Sequence, residues 1–443
     1  MPTSRLARRT PRRALVIAIS LLFAACAGPV NPTTGPGSGE PSSGGPSSNP
    51  ATSSPAPSGG PSTTGSAPPV TISPTPPVAP SPSASLVASC ATATLDGLNE
   101  GQRVGQLFLL GLANDRLGPA EQAAIETDHF GSVWFTTKTQ AGVAAIRTVA
   151  DAVQALASPS ASGPGSAGIG FFVGANQEGG LVQALAGPGF ATIPSALVQG
   201  GRPTAELKAD ALTWAGQLKA AGVNLNFAPV SDVVPAATAN QNQPIGVLRR
   251  EYGHTAAVAG AHASAFMTGM GQAGIVTVAK HFPGLGRVVG NTDFSANVVD
   301  TVTSASDPDL GSFKDVISAG VPIVMVALAT YTRIDPDHLA AFSPIVINQL
   351  LRGQLGFTGV VMSDDLGATI AVANIPPGTR GIDFIAAGGD MIISKTIAPA
   401  EAMAVAITAR ASADPTFRTQ VNAAALRVLE LKASVHLLPC AGQ

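Results

Sequence analysis

Charge is scarce in this chain. Only 12% of its 443 residues are Asp, Glu, Lys or Arg, about half of the roughly 25% usual in globular proteins. That scarcity excludes a charged disordered chain. With a formal net charge of −2, it also excludes the basic face of an electrostatic nucleic-acid binder. Cysteine is rarer still, three in all, too few for a disulfide scaffold. The six histidines are scattered and no His-Glu-x-x-His pattern occurs, so the sequence implies no metal and no cofactor. Long apolar runs are missing as well. Although 45% of the chain is hydrophobic, no stretch beyond the first 25 residues offers 18 apolar residues in a row, and no membrane-spanning helix is expected there.

What the chain does have begins at its N-terminus. Arg5, Arg8, Arg9, Arg12 and Arg13 precede a short apolar run, Ala14 to Ala25. The run falls short of the roughly 20 residues that span a bilayer, and the pattern is that of an export signal over residues 1–25. It ends in Phe23-Ala24-Ala25-Cys26, similar to a bacterial lipobox, which makes Cys26 the expected lipid attachment site and the membrane a partner through that anchor. Cleavage after Ala25 as a plain secretory signal is the alternative. Either way five arginines leave with the signal, and the remaining 20 basic and 27 acidic residues give a net charge of −7.

Residues 26–89 read as a tether. They are rich in Pro, Ser, Thr and Gly, and Glu40 is their one charge. Such a composition cannot bury enough apolar surface to offset chain entropy. Fully extended at about 3.1 Å per residue it would reach somewhat under 200 Å. The folded part is expected over residues 90–443, with Cys90 at its start and Cys440 near its end. Once Cys26 carries lipid these two remain, in an oxidising compartment, which predicts a Cys90–Cys440 disulfide joining the ends of the domain. Two free buried thiols are the alternative.

Across residues 91–443 eight short apolar runs alternate with longer helix-like segments. The runs are Gln106–Leu112, Ser132–Phe135, Gly170–Gly174, Val223–Ala228, Ile275–Ala279, Pro322–Ala327, Gly359–Met362 and Asp390–Ile393. Ala205–Ala221, Thr255–Ala273 and Pro344–Leu355 are three of the intervening helices, the last opened by a capping Ser343 and a first-turn proline. Continuous apolar runs mark strands buried on both faces. Eight strand–helix units predict an α/β fold, a single (β/α)8 TIM-type barrel; an open doubly wound sheet is the other arrangement that periodicity allows.

A barrel of this kind carries its active groups just after the strands, and the polar clusters of the sequence stand there. Run three leads into Asn176-Gln177-Glu178, run four into Pro229 and Asp232, run five into Lys280-His281, and run seven into Ser363-Asp364-Asp365. Because side chains alternate along a strand, Asp364 and Asp365 should point opposite ways, one to the barrel mouth and one capping the next helix. An ionised Asp364 at the mouth is a candidate nucleophile, with Lys280 or Arg250 favouring its charge. The stretch from Lys280 to Asp293 carries three glycines and predicts a mobile loop. Its glycine spacing does not fit a dinucleotide fingerprint.

Lys280-His281-Phe282-Pro283-Gly284 and Ser363-Asp364-Asp365-Leu366 resemble the two hallmark motifs of family 3 glycoside hydrolases, in particular the single-domain β-N-acetylglucosaminidase branch. Asn176 to Gly180, Asn226 to Val233, Arg250 to Gly253 and Leu355 to Val361 extend the resemblance from about residue 100 to about residue 430. It implies a retaining hydrolase for terminal β-linked N-acetylglucosamine, a carbohydrate partner, Asp364 as nucleophile, and Asn176, Arg250, Lys280 and His281 at sugar-binding positions. The sequence also departs from the family. Where the family has an Asp-Ser-His whose histidine is the acid/base, this chain has Asn291-Thr292-Asp293, so Asp293 is the expected proton donor. Leu285 replaces a loop histidine, Asn176 an aspartate, and Ala184 an arginine. A carboxyl can exchange the proton if its pKa is raised.

Three readings follow. The first is an exported, membrane-anchored β-N-acetylhexosaminidase that trims cell-wall or muropeptide fragments, with Asp364 and Asp293 catalytic. The second is a degenerate lipoprotein that binds wall glycans without cleaving them. The third is a family 3 glycosidase or phosphorylase of altered specificity.

Overall fold

The computed structural model describes residues 82–157 and 167–440. The signal, Cys26 and the tether as far as residue 81 lie outside the described residues.

Eight parallel strands close into a barrel: β1 Phe108–Leu112, β2 Ser132–Phe135, β3 Phe172–Ala175, β4 Leu225–Asn226, β5 Val276–Phe282, β6 Ile323–Val326, β7 Val360–Asp365 and β8 Met391–Ser394. All eight fall on the apolar runs of the sequence, and closure removes the open-sheet alternative. The seam is made by Phe108 facing Ile392 and Leu109 facing Ile393. Each strand but the last is followed by a helix before the next strand begins, and β8 is followed by Ile397–Ala413.

Alternation decides which residues fill which side. Leu109, Trp134, Phe172, Leu225, Val276, Val278, Ile323, Met362 and Ile393 pack together inside the barrel. Their neighbours Phe108, Leu110, Val133, Val173, Ala279, Val324, Val361 and Ile392 pack outward against the helices. Both sets are buried, which is why these strands read as unbroken apolar runs rather than alternating ones.

The helices begin where the sequence supplies caps. Thr255 Oγ1 accepts the Val258 amide at 3.3 Å to start Ala256–Gln272. Asp414 accepts the Thr416 and Phe417 amides to start Pro415–Ser434, with a proline in the first turn. Ser343 accepts the Val346 amide at 3.1 Å ahead of Ile345–Gln354, a helix wound wider than an α-helix, its end closed by the Leu355 amide on the Leu350 carbonyl.

The terminal helix Pro415–Ser434 closes the floor of the barrel. Its Val428 joins the interior cluster. Lys432 is fully buried and donates to Gln106 Oε1 and to the Gly131 carbonyl, both at 2.7 Å. Burial pulls its pKa down to about 7.

Helix Pro82–Gly97 packs against this terminal helix. It starts eight residues before Cys90, inside the segment assigned to the tether 26–89, so the folded chain begins earlier than residue 90. The composition explains the difference: after Pro82 the prolines stop and Leu86, Val87, Ala88 and Ala91 supply helix-forming and packing residues. Within it, Cys90 is bonded to Cys440, with Cα atoms 6.0 Å apart across 350 residues of chain. No helix among the described residues is long and apolar enough to cross a membrane.

Candidate active site

At the C-terminal mouth of the barrel lies a cavity of about 560 Å³, a size usual for small-molecule sites. Asn176, Arg250, Lys280, His281, Asp293 and Asp364 all line it. The sequence scatters these residues over nearly 190 positions; strand closure brings them to one opening.

The centre of the polar network is a residue to which sequence reasoning gave no role. Glu178, buried just after β3, accepts from Arg250 Nε and Nη2, each at 2.8 Å, and from Lys280 Nζ at 2.5 Å. Burial works against the Glu178 charge, but the two cations outweigh it and hold the carboxyl down to about 2. Glu178 in turn raises the Arg250 pKa against burial, keeping the guanidinium charged. Lys280 bears the cost of the cluster: burial lowers its pKa, Glu178 resists, and neighbouring Arg250 adds to the lowering. Lys280 also donates to Asn176 Oδ1 at 2.9 Å. The two cations expected to serve Asp364 are therefore engaged first by Glu178, although the Asp364 charge still acts on Lys280.

His281 is fixed by another carboxylate without an assigned role. Asp232 lies on the β4 loop, and its Oδ2 is 2.8 Å from His281 Nδ1. Its Oδ1 accepts the backbone amides of His281 and of Leu285. The ring is held through Nδ1, and Nε2 lies 3.5 Å from Arg250 Nη2. Both Glu178 and Asp232 follow buried strands. That position was the available signal; the pairing partners, 72 and 49 residues away, were not readable.

The loop after β5 is tied down rather than loose. Asn242 Nδ2 donates to the Leu285 and Val288 carbonyls at 2.7 Å each, and Tyr331 Oη donates to the Gly284 carbonyl at 2.8 Å. Arg287 binds Thr303, Asp307 and Asp309. The glycines that suggested mobility serve close approach: a Cβ on Gly286 would collide with the Val233 carbonyl, and Gly284 holds a φ of +131°.

Beyond that loop, the turn Asn291–Phe294 is bonded to the β7 loop. The Ile370 amide donates to the Asp293 carbonyl at 3.3 Å and the Ala371 amide to the Thr292 carbonyl at 3.1 Å. Asn291 Oδ1 accepts the backbone amide of Asp293 at 3.0 Å, not its carboxyl. The Asp293 side chain is exposed at the cavity mouth, with the packed turn on its other side. Desolvation by the surrounding protein raises its pKa, the Asp364 charge raises it further, and Arg250, His281 and Lys280 pull the other way.

Asp364 and Asp365 divide their work, though not quite as alternation predicted. Both line the cavity, and Asp364 accepts the Asp365 amide at 2.8 Å. Asp365 Oδ1 accepts the amides of Gly367, Ala368 and Lys395. It thus caps the turn after β7 and the start of the β8 loop, not helix Pro377–Ala386. Burial raises the Asp365 pKa, opposed by those amides. Of the departures from the family pattern, Leu285 lines the cavity, whereas Ala184 is buried.

Comparison with known proteins now adds a decisive observation: the glycosyl hydrolase family 3 N-terminal domain matches residues 101–431. The chain belongs to glycoside hydrolase family 3. A β-N-acetylhexosaminidase from Beutenbergia cavernae has a similar structure, with a TM-score of 0.73 at 45% identity, covering 76% of this chain and 98% of that one. A β-hexosaminidase from Vibrio cholerae serotype O1 is 35% identical over 224 residues, half of this chain and 64% of that relative, so the match spans less than two thirds of its length. One from Alkalilimnicola ehrlichii is 30% identical over 295 residues, 65% of this chain and 79% of the relative. The family 3 match covers all of the cavity residues named above.

Proposed function

We propose that this family 3 protein is a retaining β-N-acetylhexosaminidase acting on terminal β-linked N-acetylglucosamine. The observation that carries this is the pairing of two carboxyls at one mouth. Asp364 stands at the end of β7, and Asp293 stands on a clamped turn, its pKa raised first by desolvation and then by Asp364. A double displacement needs one carboxylate to attack the anomeric carbon and one carboxylic acid to protonate the departing oxygen. In this scheme Asp364 attacks and Asp293, whose raised pKa favours the acid form, delivers its proton. Ionised Asp293 then takes a proton from the water that releases the sugar from Asp364. Arg250, Lys280, His281 and Asn176 bind the sugar hydroxyls, and Glu178 and Asp232 hold the first three in place.

The relatives named β-hexosaminidases and β-N-acetylhexosaminidase support the sugar class. The export signal and the Pro-rich segment support a cell-wall or muropeptide substrate met outside the cytoplasm, with the chain anchored through lipid on Cys26. Metabolic labelling with a fatty acid should mark the parent and not Cys26→Ala; equal labelling would remove the anchor from the account.

The catalytic test is hydrolysis of an aryl β-N-acetylglucosaminide. The parent should cleave it, and Asp364→Asn should lose about 10³-fold or more in kcat. Equal activity in the two would sink the assignment. The free Asp293 carboxyl favours a second reading, glycan binding without turnover, because no side chain among the described residues orients it by a hydrogen bond. That reading predicts glycan binding by a parent inert even toward activated aryl glycosides.

A further inference from the structure

Phe294 is 78% exposed, more than any other large apolar side chain among the described residues. A lone exposed apolar residue is ordinary. This one follows the proposed proton donor directly and lines the same cavity. Its backbone is not free to turn away. The Phe294 amide donates to the Asn291 carbonyl at 3.0 Å, and Thr292 and Asp293 are bonded to the β7 loop. Leu248 and Pro244 line the cavity as well, on a loop that Asn242 ties to the Phe294 side through the Leu285 and Val288 carbonyls. Phe294 therefore adds apolar surface to the mouth directly beside Asp293. Arg250, which donates to the Pro244 carbonyl at 2.8 Å, joins that loop to Glu178, Lys280 and Asn176 at the β3 and β5 ends.

Chemistry decides what sits on that surface. An acid that protonates the departing oxygen must lie within hydrogen-bond reach of it, so the residue next to the acid meets the leaving group rather than the sugar held by Asp364. A pyranose presents a C–H face that packs on an aromatic ring, and a ring displayed in water at a cavity mouth is the surface that gains from being covered. We propose that Phe294 is the specificity-determining platform of a leaving-group subsite that takes a second pyranose ring. This rests on the hydrolase reading above and adds to it the residue that selects a sugar over a small alcohol as leaving group.

The experiment compares kcat/KM of parent, Phe294→Ala and Phe294→Tyr on N,N′-diacetylchitobiose and on methyl β-N-acetylglucosaminide. The methyl glycoside offers no ring to the platform. Each variant's own disaccharide-to-methyl ratio cancels any shared change in the catalytic groups. The expected result is a ratio about tenfold lower in Phe294→Ala, the scale of one lost pocket contact, and a near-parental ratio in Phe294→Tyr. An unchanged ratio in Phe294→Ala overturns the proposal, whether both rates stay or both fall together as a distorted turn would make them. If the parent hydrolyses neither glycoside, the hydrolase reading fails and the subsite fails with it. That outcome is distinct because the parent itself is then inert.

Discussion

In the proposed mechanism Asp293 is fitted to its task by its surroundings. A histidine in its place would be near neutrality unaided, whereas a free carboxyl is ionised at pH 7. Desolvation and the Asp364 charge both raise the Asp293 pKa, the direction a resting acid needs. The acid form is populated below that raised pKa and lost above it. Turnover of substrates with poor leaving groups should therefore fall as pH rises through the Asp293 pKa. An aryl glycoside with a very good leaving group should lose this alkaline limb in the glycosylation step. Asp293→Asn should cost about 10²- to 10⁴-fold on the poor leaving group and far less on the good one. A pH–rate series on both substrates checks this, and an alkaline limb of the same depth for each would contradict it. Glu178 makes the complementary point. Its carboxyl, held near 2, stays ionised across the working pH range and so pairs with both Lys280 and Arg250.

Elements were more legible than residues' partners. All eight strands could be placed because burial on both faces leaves an unbroken apolar run, and a run such as Val360-Val361-Met362 has no polar residue that water could solvate. The mouth was legible for a related reason: a charged residue directly after such a run has only the strand end to occupy. What could not be read was pairing at a distance. Glu178 binding Arg250 and Lys280, and Asp232 binding His281, depend on strands that meet only when the barrel closes. For the loop after β5 the sequence predicts mobility, but glycine signals either freedom or close approach, and only packing tells which. The closing helix offers a test at this scale. With a folded pKa of about 7 against an unfolded value near 10.4, Lys432 binds fewer protons folded than unfolded between those values. Stability should rise with pH over that window. Lys432→Met should flatten the rise, measured by denaturant unfolding at pH 7 and pH 10. An unchanged slope would place the proton on Lys432 throughout.

At the scale of the whole molecule, the scarcity of charge is concentrated into use. Two clusters of buried ionic groups stand out, one at the mouth around Glu178 and Asp232 and one around Asp390, which binds Arg352 and Arg427 at the floor. Between them lies an almost wholly apolar interior. The ends of the barrel chain are joined through Cys90 and Cys440, fastening the closing helix to helix Pro82–Gly97. Removing a cross-link over so long a loop typically costs about 2–5 kcal/mol. Cys90→Ser with Cys440→Ser should lower the thermal midpoint by several degrees, and reductant should have the same effect on the parent and none on the double variant. Identical midpoints with and without reductant in the parent would mean the bond does not constrain the fold.

The central claim, that Asp364 attacks and Asp293 assists, is tested most directly by trapping the covalent intermediate. Asp293→Asn, which slows release of the sugar by water, is incubated with an activated aryl β-N-acetylglucosaminide, quenched and mapped by peptide mass. The account predicts one N-acetylglucosamine unit on the peptide containing Asp364, absent when Asp364→Asn is added to the same chain. A protein that turns over the substrate without such an adduct, or that carries it on a different residue, would contradict it.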